Sequence, residues 1–290
     1  MFDTKKNPIV YYPSSLNEFF RIYRRYPDAS VAAGGTYIIS SEKFKSSPSR
    51  IFIFLTQIDE LSKIYKTERY IEFGACVSLS SILDLGTPVL PSLMVKCTRR
   101  IATMPVRNMA TVGGNLSVKG KKMDLSYIFS LMDAKIEVKS ISGNSFSSRW
   151  VPVNQLLFSP EESLSEKKQI ITRIRLYETG WNVSHYHKIR LGSGSSLIFC
   201  GLAHIDKGGI TDFRCLIGSP SGSNSFIRSR ALEMSIIGRS LPLSEKDSHQ
   251  YAHQFTKDLE LEALEKETIA SLTENFITEI NNYYNEEVFK

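Results

Sequence analysis

The sequence predicts an α+β chain, and three patterns predict it. A strand–helix–strand unit fills residues 9–33, alternating apolar runs recur between 134 and 219, and the chain from about 228 is mostly helical. Alternation at period two marks strands with one buried face, whereas apolar spacings of three and four mark helices. A chain of 290 residues can bury a sizeable core, in two or three compact units.

Taken in order, Ile9-Val10-Tyr11-Tyr12 is a β-prone run stopped by Pro13, and residues 14–18 look like a helix start. Leu16, Phe19, Phe20 and Tyr23 then lay one apolar stripe along that helix. Residues 29–33 read as a buried strand leading into Gly34-Gly35, and ligands favour that end of a parallel strand. Residues 50–55 are apolar enough for a strand buried on both faces, whereas 70–75 alternate as a half-exposed strand should. A short helix is predicted at 80–85 and a longer one at 91–101. The second stops before Met104-Pro105, because the residue before proline is pushed out of the α region. From Val106 the chain reaches a second glycine turn, Thr111-Val112-Gly113-Gly114-Asn115. A helix at 124–132, a strand at 134–140, a hairpin turn at 142–145, and strands at 146–151 and 169–176 follow. Residues 177–184 have linker character, strands are predicted at 197–205 and 211–219, and 258–286 reads as amphipathic helices. The predicted organisation is 1–57, 58–178 and 179–290.

Composition narrows the function. The net charge is +6, but the basic residues are spread along the chain and accompany no nucleic-acid-binding pattern, so they read as solvated faces. Cys76, Cys97, Cys200 and Cys215 are widely separated, which disfavours a zinc, dithiol or iron–sulfur site on this chain and predicts buried thiols. His249 and His253 stand four apart without a third ligand and read as a helix-surface pair. No metal site and no acid–base catalyst is expected. The N-terminus has no apolar signal region, and no run approaches the ~18 apolar residues of a membrane span, so a soluble, cytoplasmic protein is expected.

The two glycine pairs carry the chemistry. Glycine admits positive φ and lets backbone N–H groups approach a ligand, and successive inward N–H groups form a nest for phosphate. Two such turns, with the hydroxyls of Thr36 and Thr111, suit a nucleotide diphosphate gripped from both sides. Neither is followed by the Lys-Ser/Thr of a P-loop, and neither is a G-x-G-x-x-G fingerprint.

The second turn lies in a longer string, residues 100–116, Arg-Ile-Ala-Thr-Met-Pro-Val-Arg-Asn-Met-Ala-Thr-Val-Gly-Gly-Asn-Leu. This resembles the signature of the FAD-binding medium subunit of molybdenum hydroxylases, the xanthine dehydrogenase and carbon monoxide dehydrogenase type. Ala32-Ala33-Gly34-Gly35-Thr36 matches its other flavin motif, and the resemblance extends over roughly residues 8–240. It implies a PCMH-type FAD-binding fold of two α/β subdomains followed by a C-terminal α+β unit, an antiparallel sheet with helices. It implies that Val31, Ala32, Ala33, Gly34, Gly35, Thr36, Tyr37 and Ile38 cradle the FAD diphosphate through backbone amides. Thr111, Gly114 and Asn115 would close on it from the other side, with Asp124 near the ribityl and nucleotide parts. Ile170 and Ile171 would contact the adenine side, and Lys188 would approach the flavin. Asp124 also reads as a helix cap, and Arg107-Asn108 as a structural brace. The resemblance further implies molybdopterin on a large partner subunit, [2Fe-2S] clusters on a small one, and NAD+ or another electron acceptor.

Three positions depart from the family pattern: Tyr37 is bulky, Ile101 replaces an aromatic, and Lys119-Gly120-Lys121-Lys122 adds charge. Tyr37 and the lysine loop keep open a scaffold with weak or no FAD binding, and the resemblance equally allows the FAD subunit of a hydroxylase for carbon monoxide, nicotinate or an aldehyde.

Overall fold

Ser15 sets the first helix. Its hydroxyl accepts from the Glu18 amide, while the Glu18 carboxylate returns to the amide and hydroxyl of Ser14 at 2.8 and 2.9 Å. The Ser15 hydroxyl thus satisfies one donor that the first turn leaves unpaired, and Glu18 ties down the residue before the cap. The computed structural model describes residues 8–40, 51–118, 123–142, 145–157, 169–190, 196–218, 226–257, 259 and 263–288. The chain forms two compact units, Met1–Leu90 with Thr98–Glu178, and Pro91–Cys97 with Thr179–Lys290.

In the first unit, β1 (Ile9–Tyr11), α1 (Leu16–Arg25), β2 (Ser30–Ala32), α2 (Thr36–Ser40) and β3 (Ile51–Phe54) follow one another. The strands lie in the order β1-β3-β2, with both outer strands parallel to β3. The predicted stripe of Leu16, Phe19, Phe20 and Tyr23 is buried and shares a core with Ile53, Ile58 and Ile170.

Two 3-10 turns lead to β4 (Ile64–Lys66), β5 (Tyr70–Gly74), α3 (Leu79–Leu85), α4 (Ser92–Arg99), α5 (Met104–Met109) and α6 (Val112–Leu116). Then come α7 (Asp124–Leu131), β6 (Lys135–Ser142), β7 (Ser145–Pro152), α8 (Val153–Leu157) and β8 (Gln169–Tyr177). The sheet order is β4-β5-β8-β6-β7, antiparallel throughout. Pro105 stands in the first turn of α5, where the amide it lacks has no helical partner to lose. The residues of α4 up to Cys97 group with the second unit, where Lys96 Nζ donates to the Ser184 carbonyl at 2.6 Å.

The expected half-exposure of β5 is wrong: from Ile71 to Gly74 both faces are buried. Glu72, only 4% exposed, accepts from Arg175 Nε at 2.7 Å and from Arg173 Nη1 at 3.3 Å. Glu137 on β6 accepts from Arg173 Nε at 2.8 Å, Thr172 Oγ1 at 2.6 Å and Ser148 Oγ at 2.7 Å. The Arg175 guanidinium lies 4.2 Å from the Trp150 ring centre and 4.3 Å from that of Tyr70. Alternation marks one face as polar, but paired charges and rings cover these carboxylates as completely as apolar groups would.

In the second unit, β9 (Val183–Arg190), β10 (Ser196–Asp206), β11 (Gly209–Gly218) and β12 (Phe226–Ile227) form an antiparallel sheet in the order β12-β11-β10-β9. α9 (Arg230–Ile236), α10 (Glu245–Lys257) and α11 (Ala263–Val288) complete it, and most of the acidic C-terminal stretch is one long helix. Phe199, Phe213, Phe255, Phe276 and Ile280 centre its core. Arg228 and Glu233 are both buried and paired at 2.7 Å. His249 is exposed and pairs with Glu274 at 2.6 Å.

Burial alone would push the Glu137 carboxyl up. Hydrogen bonds from Arg173, Thr172 and Ser148, with the Arg173 charge, outweigh it and bring the pKa from 4.5 down to about 2. A carboxyl lowered on folding contributes stability that is present above about 4.5 and lost as the pH falls through about 2. Urea unfolding should therefore show wild type losing stability between pH 5 and pH 2 more steeply than Glu137→Gln; parallel losses would contradict this. At Gly201, a Cβ would stand 2.4 Å from Phe276 Cε1 in the fully buried core. Gly201→Ala should cost about 1–3 kcal/mol by overpacking, read as a lower thermal midpoint.

Candidate functional site

β2 delivers the first glycine pair to the C-terminal edge of the parallel sheet. Gly35 has φ +69°, which non-glycine residues adopt only with strain, and Ile39 donates to its carbonyl at 2.9 Å to begin α2. A Cβ at Gly34 would fall 1.6 Å from the Met109 carbonyl oxygen, so the backbone here lies directly against the end of α5. The first glycine loop therefore meets Met109 and Ala110, the residues that lead into Thr111 and the second glycine segment. Among the described residues, the amides of Gly34, Gly35, Thr36 and Tyr37 have no acceptor. Four successive donors at a strand-to-helix junction form an uncharged site for an anion.

The second pair is arranged differently. It is not an open turn but the first turn of α6, capped by Thr111. Val112 donates to the Val77 carbonyl at 3.0 Å and Gly113 to that of Ala75 at 2.8 Å. Gly114 donates to Thr111 Oγ1 at 3.1 Å, and Asn115 to the Thr111 carbonyl at 2.9 Å. Every amide from 112 to 115 is thus engaged within the chain, which corrects the expectation of a second amide nest. The glycine at 113 answers close packing instead, since its Cβ would lie 2.6 Å from that of Ala75.

The neighbouring groups hold this segment in place. Arg107 Nη1 donates to the carbonyls of Ile101 and Ala102 at 2.9 and 2.7 Å, and Asn108 Oδ1 accepts from Ser80 Oγ at 2.5 Å. These are the bracing contacts expected of Arg107-Asn108. Asn115 Oδ1 accepts from the Leu125 amide at 3.3 Å, so the side chain reaching the first turn of α7 is that of Asn115. Asp124 opens the same helix and is buried, with its charge at the favourable end of the helix dipole.

Of the other predicted residues, Ala32 is buried and Val31, Ala33, Thr36, Tyr37 and Ile38 are half-buried around the first loop. Ile170 and Ile171 are buried on β8, Ile170 within the core that holds Phe19 and Phe20. Lys188 belongs to the second unit, half-buried on β9 opposite Ile198. The lysine run 119–122 lies outside the described residues.

Two residues at this edge escaped the sequence reading. Phe54, ending β3, places Cε1 3.2 Å from where a Gly35 Cβ would stand, and the Tyr12 ring stacks on Phe54 at 5.5 Å and 22°. Only the parallel pairing of β1, β3 and β2 brings them together, and no local pattern signals it. No three His, Cys, Asp or Glu residues converge on a metal position among the described residues. All four cysteines are buried, and burial pushes the Cys76 thiol up to about 12, far from a reactive thiolate. No described helix is long and apolar enough to cross a membrane.

Residues 2–176 match the family model for the FAD binding domain in molybdopterin dehydrogenase. A xanthine dehydrogenase of Drosophila pseudoobscura pseudoobscura is 27% identical over 180 residues, covering 58% of this chain and 13% of that protein. Aldehyde oxidase 3 of Rattus norvegicus is 25% identical over 173 residues, covering 56% and 13%. The chain thus spans about an eighth of the curated relatives it matches. Among solved structures, quinoline 2-oxidoreductase from Pseudomonas putida 86 superposes with a TM-score of 0.79 at 16% identity, over 94% of this chain and 96% of that one. A carbon monoxide dehydrogenase chain from Hydrogenophaga pseudoflava gives 0.75 at 17%, over 94% and 97%. At such identities the likeness is one of fold, and it extends well past residue 176.

Proposed function

Since the chain belongs to the family of FAD-binding domains of molybdopterin dehydrogenases, we propose that it is the flavin subunit of a molybdenum hydroxylase and holds the FAD diphosphate on the amides of Gly34, Gly35, Thr36 and Tyr37. One observation carries this assignment: those four amides have no acceptor among the described residues, at a loop where the Met109 carbonyl leaves no room for a side chain on residue 34. A diphosphate fits such a cradle, because its oxygens need several donors and neutral amides supply them without a fixed countercharge. Val31, Ala32, Ala33 and Ile38 shape the loop. Thr111, Gly114 and Asn115 form its opposite wall and act by position, since their amides are engaged with the protein itself.

Asp124, buried beside Asn115's contact to α7, is proposed to face the ribityl and nucleotide parts, Ile170 and Ile171 to line the adenine side, and Lys188 to approach the flavin. When bound, FAD supplies the capacity to take up electrons and pass them on. The partners this reading requires are a molybdopterin-binding large subunit, a small [2Fe-2S] subunit, and NAD+ or another acceptor. The large subunit would choose the substrate, whether a purine, carbon monoxide, nicotinate or an aldehyde.

Incubating the purified chain with FAD and removing free cofactor should leave a visible flavin absorption band. Gly34→Ala, which forces the loop away from Met109, should weaken binding by about tenfold or more, as expected for losing charge-assisted hydrogen bonds. A wild-type chain that stays colourless overturns the proposal and favours the non-flavin scaffold.

A further inference from the structure

We propose that Tyr12 is a binding residue for one ring system of the dinucleotide, an inference that rests on the flavin reading above. Tyr12 follows β1 at the C-terminal edge of the parallel sheet, the same edge at which β2 delivers Gly34 and Gly35. Its neighbour Tyr11 packs against the core and stacks on Tyr26 at 5.6 Å, while Tyr12 is 51% exposed. That exposed ring is nevertheless fixed, lying on Phe54 at 5.5 Å and 22°. Phe54 and Ile39 in turn both approach Gly35, at 3.2 and 3.4 Å from its missing Cβ, and Ile39 is itself 61% exposed. An apolar strip of Tyr12, Phe54 and Ile39 therefore borders the amides of Gly34 to Tyr37.

A dinucleotide has matching chemistry, with a charged diphosphate flanked by flat rings. The amides suit the charge, and the strip offers a preset aromatic face to a ring. Offset stacking on a ring already held in place needs little further ordering on binding.

The test uses the full chain, titrated with FAD and followed by quenching of flavin fluorescence. Tyr12→Ala is expected to bind about tenfold more weakly, and Tyr12→Phe within about twofold of wild type. Competition with ADP and with FMN then shows which half of the dinucleotide lost affinity, either result supporting the inference. Tyr12→Leu covers Phe54 without an aromatic face, so it is expected to weaken binding several-fold and serves if Tyr12→Ala does not fold. Undiminished FAD binding by folded Tyr12→Ala and Tyr12→Leu overturns the inference while leaving the flavin reading intact. Failure of the wild-type chain to bind FAD overturns both, and the two failures are told apart by the wild-type titration alone.

Discussion

The backbone contact between Gly34 and the Met109 carbonyl is the constraint on which the candidate site depends. Where a first side-chain atom would come within 1.6 Å of an oxygen, only glycine can stand. The contact joins the loop that ends the second strand of the parallel sheet to the helix that precedes Thr111. It also fixes where the amides of Gly34 to Tyr37 can lie, because the loop cannot retreat from Met109 without opening the unit between them. A Cβ at Gly34 would also lie 3.3 Å from the Ala110 nitrogen, one residue before Thr111 opens the second glycine segment.

The two glycine pairs share a composition but divide the work. The first leaves its donors open, and the second uses every amide from 112 to 115 to seat itself against Ala75, Val77 and Thr111. An open loop is held best by a wall that needs nothing from it. Arg107 and Asn115 extend that wall in both directions, one tying the carbonyls of Ile101 and Ala102 and the other reaching α7. On the five-stranded sheet, Glu72 and Glu137 bind its central strands through Arg173 and Arg175. Paired in this way, the carboxylates fix strand register, whereas either one left alone and buried would be costly.

Much of this was legible in the sequence where the determinant is local. The stripe of Leu16, Phe19, Phe20 and Tyr23 placed α1, the strand-like run into Gly34 placed the first loop, and the string from Arg100 to Leu116 pointed to the family that residues 2–176 match. The antiparallel C-terminal sheet with its helices was also expected. What escaped were consequences of long-range pairing. Glu72 made β5 look half-exposed, because Arg173 and Arg175 lie about a hundred residues away and come to it only through β8. Thr111 and the Gly113-Gly114 pair looked like a second phosphate turn, because a helix cap and a nest use the same residue types. Tyr12 and Phe54 gave no signal at all, since they become neighbours only when β3 inserts between β1 and β2.

The central claim is that the first glycine loop, not the second, donates the hydrogen bonds to the cofactor. Amide hydrogen exchange on the full chain, with and without saturating FAD, tests it most directly. Slower exchange confined to the amides of Gly34, Gly35, Thr36 and Tyr37, with those of Val112 to Asn115 already protected in the free chain, is the predicted result. Protection that arises on FAD binding at Val112 to Asn115, with none at Gly34 to Tyr37, would contradict it.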